Sequence, residues 1–236
     1  MRPILILIAI VLSGSFARAQ QVVDLSTTDY KMSRDGQMVT SVNGMIYSPV
    51  KFIKVTAGTP FFKEQWMKGT LVADGGQAYK NLSLRLNLMD NEVNYKDANG
   101  QEMVTSSPIK YVILTDSSIG EKYEFALGDQ MKNADKALAR TWFQVLVNGK
   151  VSLCMQTLKK IHETIPYGTA TTEQEILTIN YYFLQMNNNF ARFKWEDWQD
   201  PFKDKKDQLA QFIKTNHLKG KTTEDYTKLV EYYNTL

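Results

Sequence analysis

The sequence predicts an α+β protein. Its body is mainly an antiparallel β-meander with hairpins, arranged as a sandwich or a partly open barrel, and two α-helices follow at the C-terminus. Leucines at 82, 84, 86 and 88 alternate with polar residues, which is the period of a strand with one apolar face. Asn-Gly pairs at 43–44 and 148–149 indicate tight hairpins. Beyond about Glu196 the apolar period changes from two to 3.6.

Residues 1–19 have the pattern of a cleaved export signal. Arg2 precedes a short apolar run at 4–12, and Ala17-Arg18-Ala19 is a small-x-small cleavage site. The run is too short to cross a bilayer as a helix. The cleavage site has no cysteine, which argues against a lipoprotein anchor. We therefore expect a signal peptide at 1–19, an antiparallel β-rich domain at 20–195 and a helical appendix at 196–236 packed on the β body. The mature chain is expected in the periplasm or outside the cell, without a transmembrane segment.

The mature chain is expected to be close to neutral. The whole chain has 28 Lys+Arg and 25 Asp+Glu, and loss of Arg2 and Arg18 leaves 26 basic residues against the same 25 acidic ones. That balance, without a basic stripe, argues against nucleic-acid binding. Cys154 is the single cysteine, so no internal disulfide can form. A small buried side chain is expected there, with a reactive or intermolecular thiol as the alternative.

The first half of the β body is predicted to hold one hairpin, one further strand and a meander. The hairpin joins 37–42 to 45–47, the next strand is 51–55, and Phe61, Phe62 and Trp66 are expected to pack where the meander begins. Turn residues then separate the meander strands, which are expected at 70–73, 77–88, 93–96 and 101–104. The polar residues of the leucine strand, Ser83, Arg85 and Asn87, are expected to face water.

The second half is predicted to contain strands at 109–114 and 122–127 and then two hairpins. Residues 128–140 are expected to form a loop or a single turn. The hairpin of 142–147 and 150–155 has apolar residues on both faces, so burial on both sides is expected. Residues 159–172 are expected to be irregular, and 176–186 with 190–195 should make the last hairpin.

Two amphipathic helices are predicted at the C-terminus. Asp200-Pro201 is expected to begin the first helix, and Asn216 or Gly220 is expected to end it. Its apolar face would hold Phe202, Leu209, Phe212 and Ile213. Thr222 and Asp225 resemble a capping box for the second helix. The buried stripe of that helix is predicted to contain Tyr226, Leu229, Val230 and Tyr233.

No catalytic or metal-binding motif is present in the sequence. His162 and His217 have no second ligand at metal-binding spacing. The acidic residues between 196 and 204 alternate with lysines and indicate a salt-bridged surface. Neither catalytic residues, a metal nor a cofactor is therefore predicted, although a distant carboxylate pair for glycoside hydrolysis stays open.

The tryptophans are the candidate ligand-binding residues. Trp66, Trp142, Trp195 and Trp198 could form a sugar-stacking platform or line a lipid groove. The alternative is that they fill half-buried surfaces of the sheet.

Three groups of residues carry a resemblance to a known class of proteins. They are 59–62 with 66–70, 79–81 and 86–88; then 145–153; and finally 229–234. On these residues the chain resembles the uncharacterised exported β-rich proteins of Bacteroidota-type bacteria. The resemblance implies export and a shared fold, and it transfers no functional residues.

These observations together predict an exported, non-enzymatic protein that binds a partner or ligand at the cell envelope. The partner would be an envelope protein or a small apolar or glycan ligand. One alternative is a carrier of a lipid or other apolar ligand held between the sheet and the helices. Another is a glycan-binding or glycan-processing module.

Overall fold

The computed structural model describes residues 55–164, Tyr167 and 173–236, together with the backbone of 22–24 and 44–46. The predicted signal peptide and residues 51–54 of the predicted strand at 51–55 lie outside the described residues. Of the predicted hairpin at 37–47, only the strand Gly44–Ile46 lies within them.

The described strands form one large sheet. They are β1 Val22–Asp24, β2 Gly44–Ile46, β3 Val55–Ala57, β4 Met67–Ala73, β5 Ala78–Asn87, β6 Glu92–Lys96, β7 Glu102–Thr105, β8 Ile109–Asp116, β9 Glu121–Leu127, β10 Trp142–Val147, β11 Ser152–Thr164, β12 Glu173–Met186 and β13 Asn189–Phe193. The helices are α1 Lys206–Thr215 and α2 Thr223–Thr235. The strand order is β13-β12-β11-β10-β9-β8-β4-β5-β6-β7-β2, with β1 beside β5 and β3 beside β12. These last two contacts are parallel and the others are antiparallel.

The predicted fold class is confirmed. A mostly antiparallel sheet is followed by two C-terminal helices, and within the described strands the sheet is not closed into a barrel. The four alternating leucines of the meander strand are all buried, with at most 7 % of each exposed. They form the main core with residues from β4, β6, β8 and β9, and Trp142 of β10.

A second core lies between the C-terminal helices and β10–β13. Thr222 caps α2, because its side chain accepts a hydrogen bond from the Asp225 amide at 3.2 Å. The predicted stripe of α2 is buried against the sheet, as shown by Tyr226, Leu229, Val230 and Tyr233. The capping and docking predicted for this helix are therefore both confirmed.

The hairpin of β10 and β11 is buried on both faces, as its apolar pattern predicts. Leu153 belongs to the core under the helices, whereas the next residue, Cys154, belongs to a third core with Phe143, Phe183 and Phe190. Successive residues of a strand point to opposite faces. The sheet is consequently covered on both sides in this region.

The first helix begins later than Asp200-Pro201 predicts. Two short 3-10 turns, Trp195–Asp197 and Lys203–Lys205, precede α1, which starts at Lys206. Phe202 between them is fully buried and packs against the Phe193 ring at 5.8 Å and the Tyr233 ring at 4.6 Å. This tertiary packing accounts for the irregular entry into the helix. The predicted helix end at Asn216 is confirmed.

The irregular segment predicted at 159–172 is wrong over its first part. β11 continues to Thr164, and β12 already begins at Glu173, directly opposite it. Lysine, glutamate and histidine interrupt any apolar period in 159–164, so the sequence carries no strand signal there. The ladder with β12 holds this segment extended.

The polar residues of the leucine strand do not all face water. Arg85 is 8 % exposed and Asn87 is fully buried, while Ser83 is half-buried. Phe61 and Trp66, from the segment before β4, cover the Arg85 side chain. The prediction of a wet face was wrong at these two positions because period two does not reveal what packs on the polar side.

Candidate functional site

Arg85 is a buried cation at the centre of a polar cluster. Its guanidinium carbon lies 3.7 Å from the Phe61 ring centroid and 4.6 Å from the Trp66 centroid. The guanidinium also pairs with Glu102 at 3.2 Å and with Glu64 at 3.6 Å. The guanidinium group of Arg85 therefore interacts with two carboxylates and with the faces of two aromatic rings. Arg85 Nε is buried without a hydrogen-bond partner among the described residues.

Asn94 of β6 lies directly opposite Arg85 and shares its face of the sheet. Its side chain is fully buried, and neither Nδ2 nor Oδ1 has a hydrogen-bond partner within the described part of the chain. Asn87 is equally buried, but its Oδ1 accepts from the amides of Met89 and Asp90, both at 3.1 Å. Its Nδ2 donates to Asp90 Oδ2 at 3.1 Å.

A second polar cluster surrounds Asp116 at the end of β8. Ser118 donates to Asp116 Oδ1 at 2.5 Å, and Lys63 Nζ donates to Asp116 Oδ2 at 3.0 Å and to the Tyr123 hydroxyl at 2.6 Å. The hydrogen bond from Ser118, followed by that from Lys63, lowers the pKa of Asp116 to about 2. The hydrogen bond to Tyr123 is the largest cause of the raised pKa of Lys63. Both shifts favour the charged forms, so Asp116 and Lys63 form an ion pair.

The longest hairpin extends beyond the rest of the sheet. β10 pairs with β11 only between Leu153 and Gln156, and β13 pairs with β12 only from Tyr182 to Met186. Beyond these limits β11 and β12 continue as a ladder from Thr157↔Asn180 to Thr164↔Glu173. We call residues 157–164 and 173–180 the arm. Among the described strands, only β3 also pairs with it, at Gln174 and Glu175.

The arm concentrates exposed apolar side chains. Six large apolar residues are exposed in the described part of the chain, and four of them lie on the arm or in the connection at its tip: Leu158, Ile161, Tyr167 and Leu177. Leu158 and Leu177 share one face with the half-buried Ile179, because Leu158 pairs with Ile179 and Lys160 pairs with Leu177. We call these three residues the apolar patch.

The opposite face of the arm is mainly polar. Thr157 donates to Asn180 at 3.0 Å, and Lys159 donates to Thr178 at the same distance. Gln174 donates to Glu163 at 2.8 Å. These cross-strand bonds tie the two strands together on the face that also carries the Ile161–Ile176 pair.

The four tryptophans do not form a common platform. Trp66 is half-buried, with Lys96 Nζ 4.9 Å from its ring centroid in addition to Arg85. Trp142 is 3 % exposed in the main core, and its Nε1 donates to the Asn91 carbonyl at 3.2 Å. Only Trp195 and Trp198 belong to the same cluster, where both are half-buried beside the helices.

Trp195 has a local packing role in this structure. Its ring lies 5.2 Å from the Tyr226 ring and directly against the backbone of Gly220. A Cβ on Gly220 would come within 1.9 Å of the indole Cγ. Trp195 thereby fixes the loop between α1 and α2 against the sheet.

A polar cleft of about 690 Å³ lies beside Trp142. Asp90, Glu92, Asp129 and Arg140 line it, together with serines 106 and 107 and neighbouring residues. The cleft offers charged groups of both signs, but the buried indole of Trp142 presents little surface to a ligand.

The remaining candidate chemistry is sparse within the described ranges. Cys154 is 1 % exposed, and burial raises the pKa of its thiol to about 12, so it behaves as a small apolar side chain. His162 and His217 are both exposed, and no group of three metal-ligating side chains occurs among the described residues. Neither described helix combines the length and the apolar character that a membrane span requires.

Comparisons with known proteins found no match for this chain. No protein-family model matches it, and neither the curated proteins nor the solved structures contain a match.

Sequence reasoning missed both the arm and the Arg85 cluster. Nothing in residues 157–164 marks them as an exposed strand, because polar and apolar side chains occur on both faces. For Arg85 a weak signal exists, since Phe61 and Trp66 precede the leucine strand and an arginine can stack on aromatic rings.

Proposed function

We propose that the mature chain is an exported, non-enzymatic binding protein that engages a protein partner at the cell envelope through the apolar patch of the arm. The observation that carries the proposal is that the exposed Leu158 and Leu177 lie on one face of the arm with the half-buried Ile179. The export pattern of residues 1–19 supports the compartment. Exposed apolar side chains grouped on one face are typical of a protein interaction site.

The shape of the arm supports the same proposal. A two-stranded ribbon by itself is only marginally stable in water. The arm has eight residue pairs, which corresponds to a length of about 27 Å. A partner covering Leu158 and Leu177 would bury their exposed surface and add stability to the ribbon.

The polar clusters favour binding over catalysis. The pKa of Asp116 is lowered and that of Lys63 is raised, so each group keeps its ordinary charge more firmly. General acid–base catalysis needs the opposite, a pKa moved toward the working pH. The Arg85 guanidinium is occupied by Glu64 and Glu102. These groups stabilise the attachment of the segment before β4.

A carrier of an apolar ligand is less well supported by the packing under the helices. Phe202, Leu209, Leu229 and Val230 are each 0 % exposed there, and Tyr233 is 1 % exposed. A lipid between the sheet and the helices would have to displace these side chains. A glycan platform is less well supported because Trp66, Trp142 and Trp195 lie in separate surroundings.

Site-specific photocrosslinking in the native host tests the proposal. A photoreactive phenylalanine derivative at Leu158 or Leu177 should yield one discrete adduct with an envelope protein. The matched control is Ile119, which is 59 % exposed in the turn between β8 and β9. The adducts at 158 and 177 should be absent at 119.

A pair of matched substitutions completes this test. Leu158→Ser should reduce partner capture at position 177, whereas Ile119→Ser should leave it unchanged. Equal capture at all three positions, or no adduct on the arm, would refute the proposal. Native mass spectrometry of the chain purified without detergent would detect a discrete extra mass if the carrier alternative were right.

A further inference from the structure

The outer edge of β11 has no partner strand along the arm among the described residues. β10 leaves β11 at Gln156, and no described strand pairs with this edge from Thr157 to Thr164. An unpaired edge presents a row of backbone N–H and C=O groups that can accept another strand.

The sequence of this edge is complementary to itself. If two copies of β11 are placed antiparallel with Ile161 opposite Ile161, Lys159 of each copy lies opposite Glu163 of the other. Two opposite-charge pairs then flank a central apolar pair on one face of the ribbon. Cross-strand pairs of both kinds stabilise antiparallel strands.

The side chains of that face are already in place for such pairing. Ile161 is 37 % exposed beside the buried Ile176 of β12, and the Glu163 carboxylate accepts a hydrogen bond from Gln174. Lys159 donates to the Thr178 hydroxyl but has no carboxylate partner among the described residues. Burial lowers the pKa of Lys159 because it partly removes the ammonium group from water.

We infer that the free edge of β11 pairs antiparallel with the same edge of a second copy of this chain, centred on Ile161. Glu163 of the second copy supplies the missing anion for Lys159, and the relation is reciprocal, as in a two-fold symmetric interface. The pairing uses the backbone edge and the Ile161 face of the arm. The apolar patch lies on the opposite face, so this inference does not depend on the proposed envelope partner.

Sedimentation of the mature chain tests the inference through a charge swap. The wild type should form a dimer, and Lys159→Glu should raise the dissociation constant by about tenfold or more, because both cross-strand pairs become repulsive. The double variant Lys159→Glu with Glu163→Lys should restore the wild-type constant. A wild type that stays monomeric up to about 100 µM would overturn the inference. A dimer unaffected by Lys159→Glu would also overturn it, since the interface would then lie elsewhere.

A cysteine at the proposed symmetry axis gives an independent readout. Ile161→Cys should form an intermolecular disulfide under mild oxidation, because directly opposite residues of paired strands lie about 4.5–5.5 Å apart. Lys122→Cys, at a position 56 % exposed on β9, is the matched control. The native Cys154 is buried and should not react. Equal rates of cross-linking at 161 and 122 would refute the pairing, and a mixed disulfide with a different protein would assign the edge to another partner instead.

Discussion

The same substitution at two buried asparagines should change the free energy of unfolding in opposite directions. Asn87 and Asn94 are both 0 % exposed and lie on neighbouring strands. The side-chain amide of Asn87 makes three hydrogen bonds: it accepts from the backbone amides of Met89 and Asp90 and donates to the Asp90 carboxylate. The amide of Asn94 makes none within the described part of the chain. Leucine has a similar size and no polar atoms, so the change Asn→Leu isolates the hydrogen bonding.

The expected free energies of unfolding follow from these contacts. A buried amide without partners costs about 1–3 kcal/mol, so Asn94→Leu should stabilise the protein by about that amount. Each hydrogen bond of Asn87 contributes about 0.5–1.5 kcal/mol, and leucine at this position would lose all three. Asn87→Leu should therefore destabilise the protein by about 2–4 kcal/mol.

Urea unfolding of the two variants beside the wild type measures both changes. A shift of the midpoint at constant slope reports a change in stability alone. The reasoning would be refuted if both variants lost similar stability. That outcome would mean that the Asn94 amide has partners of the same quality as Asn87.

Three other predictions concern the helices, the Asp116 cluster and a glycine. Leu229→Ala should lower the free energy of unfolding, measured in urea, by about 2–5 kcal/mol. Leu177→Ala, at an exposed position, should change it by less than about 1 kcal/mol. Equal effects of the two substitutions would mean that α2 is not docked. Hydrogen bonding lowers the pKa of Asp116 from its ordinary value of 3.8 to about 2. The contribution of the Asp116 carboxylate to stability should therefore be fully present above pH 3.8 and be lost as the pH falls through about 2. Asp116→Asn should flatten stability measured against pH in that window, and an unchanged acid profile would contradict the shift. Gly220→Ala and Gly76→Ala both place a side chain at positive φ, which costs about 1–3 kcal/mol. Only Gly220→Ala also meets an indole ring, so it should cost about 1–3 kcal/mol more in thermal or urea unfolding, and equal losses would exclude the clash.

Local patterns were sufficient to predict much of the fold. The leucines of β5 and the stripe of α2 are buried as their periods predict. Thr222 caps α2, and turn residues separate the meander strands where they were expected. Each of these features depends on backbone geometry over a few neighbouring residues, and that geometry can be recognised in the sequence.

The candidate sites could not be predicted in the same way. The sequence places Arg85 on the polar face of β5, but only the packing of Phe61 and Trp66 buries it. Nothing in the sequence indicates that the side-chain amide of Asn94 has no hydrogen-bond partner within the described part of the chain. The sequence contains four tryptophans that could contact a ligand, but the fold places them in separate surroundings.

The sequence by itself determined which residues share a face, where most strands turn and how the second helix is capped. Only the tertiary structure decided what covers each face, where α1 begins and how far β11 extends. The physical reason is the range of the interactions. Period and capping come from contacts within a few residues, whereas the arm is held by pairing with β12 and Phe202 is placed by Phe193 and Tyr233. The surfaces to which we assign binding, the apolar patch and the free edge of β11, are products of those long-range contacts.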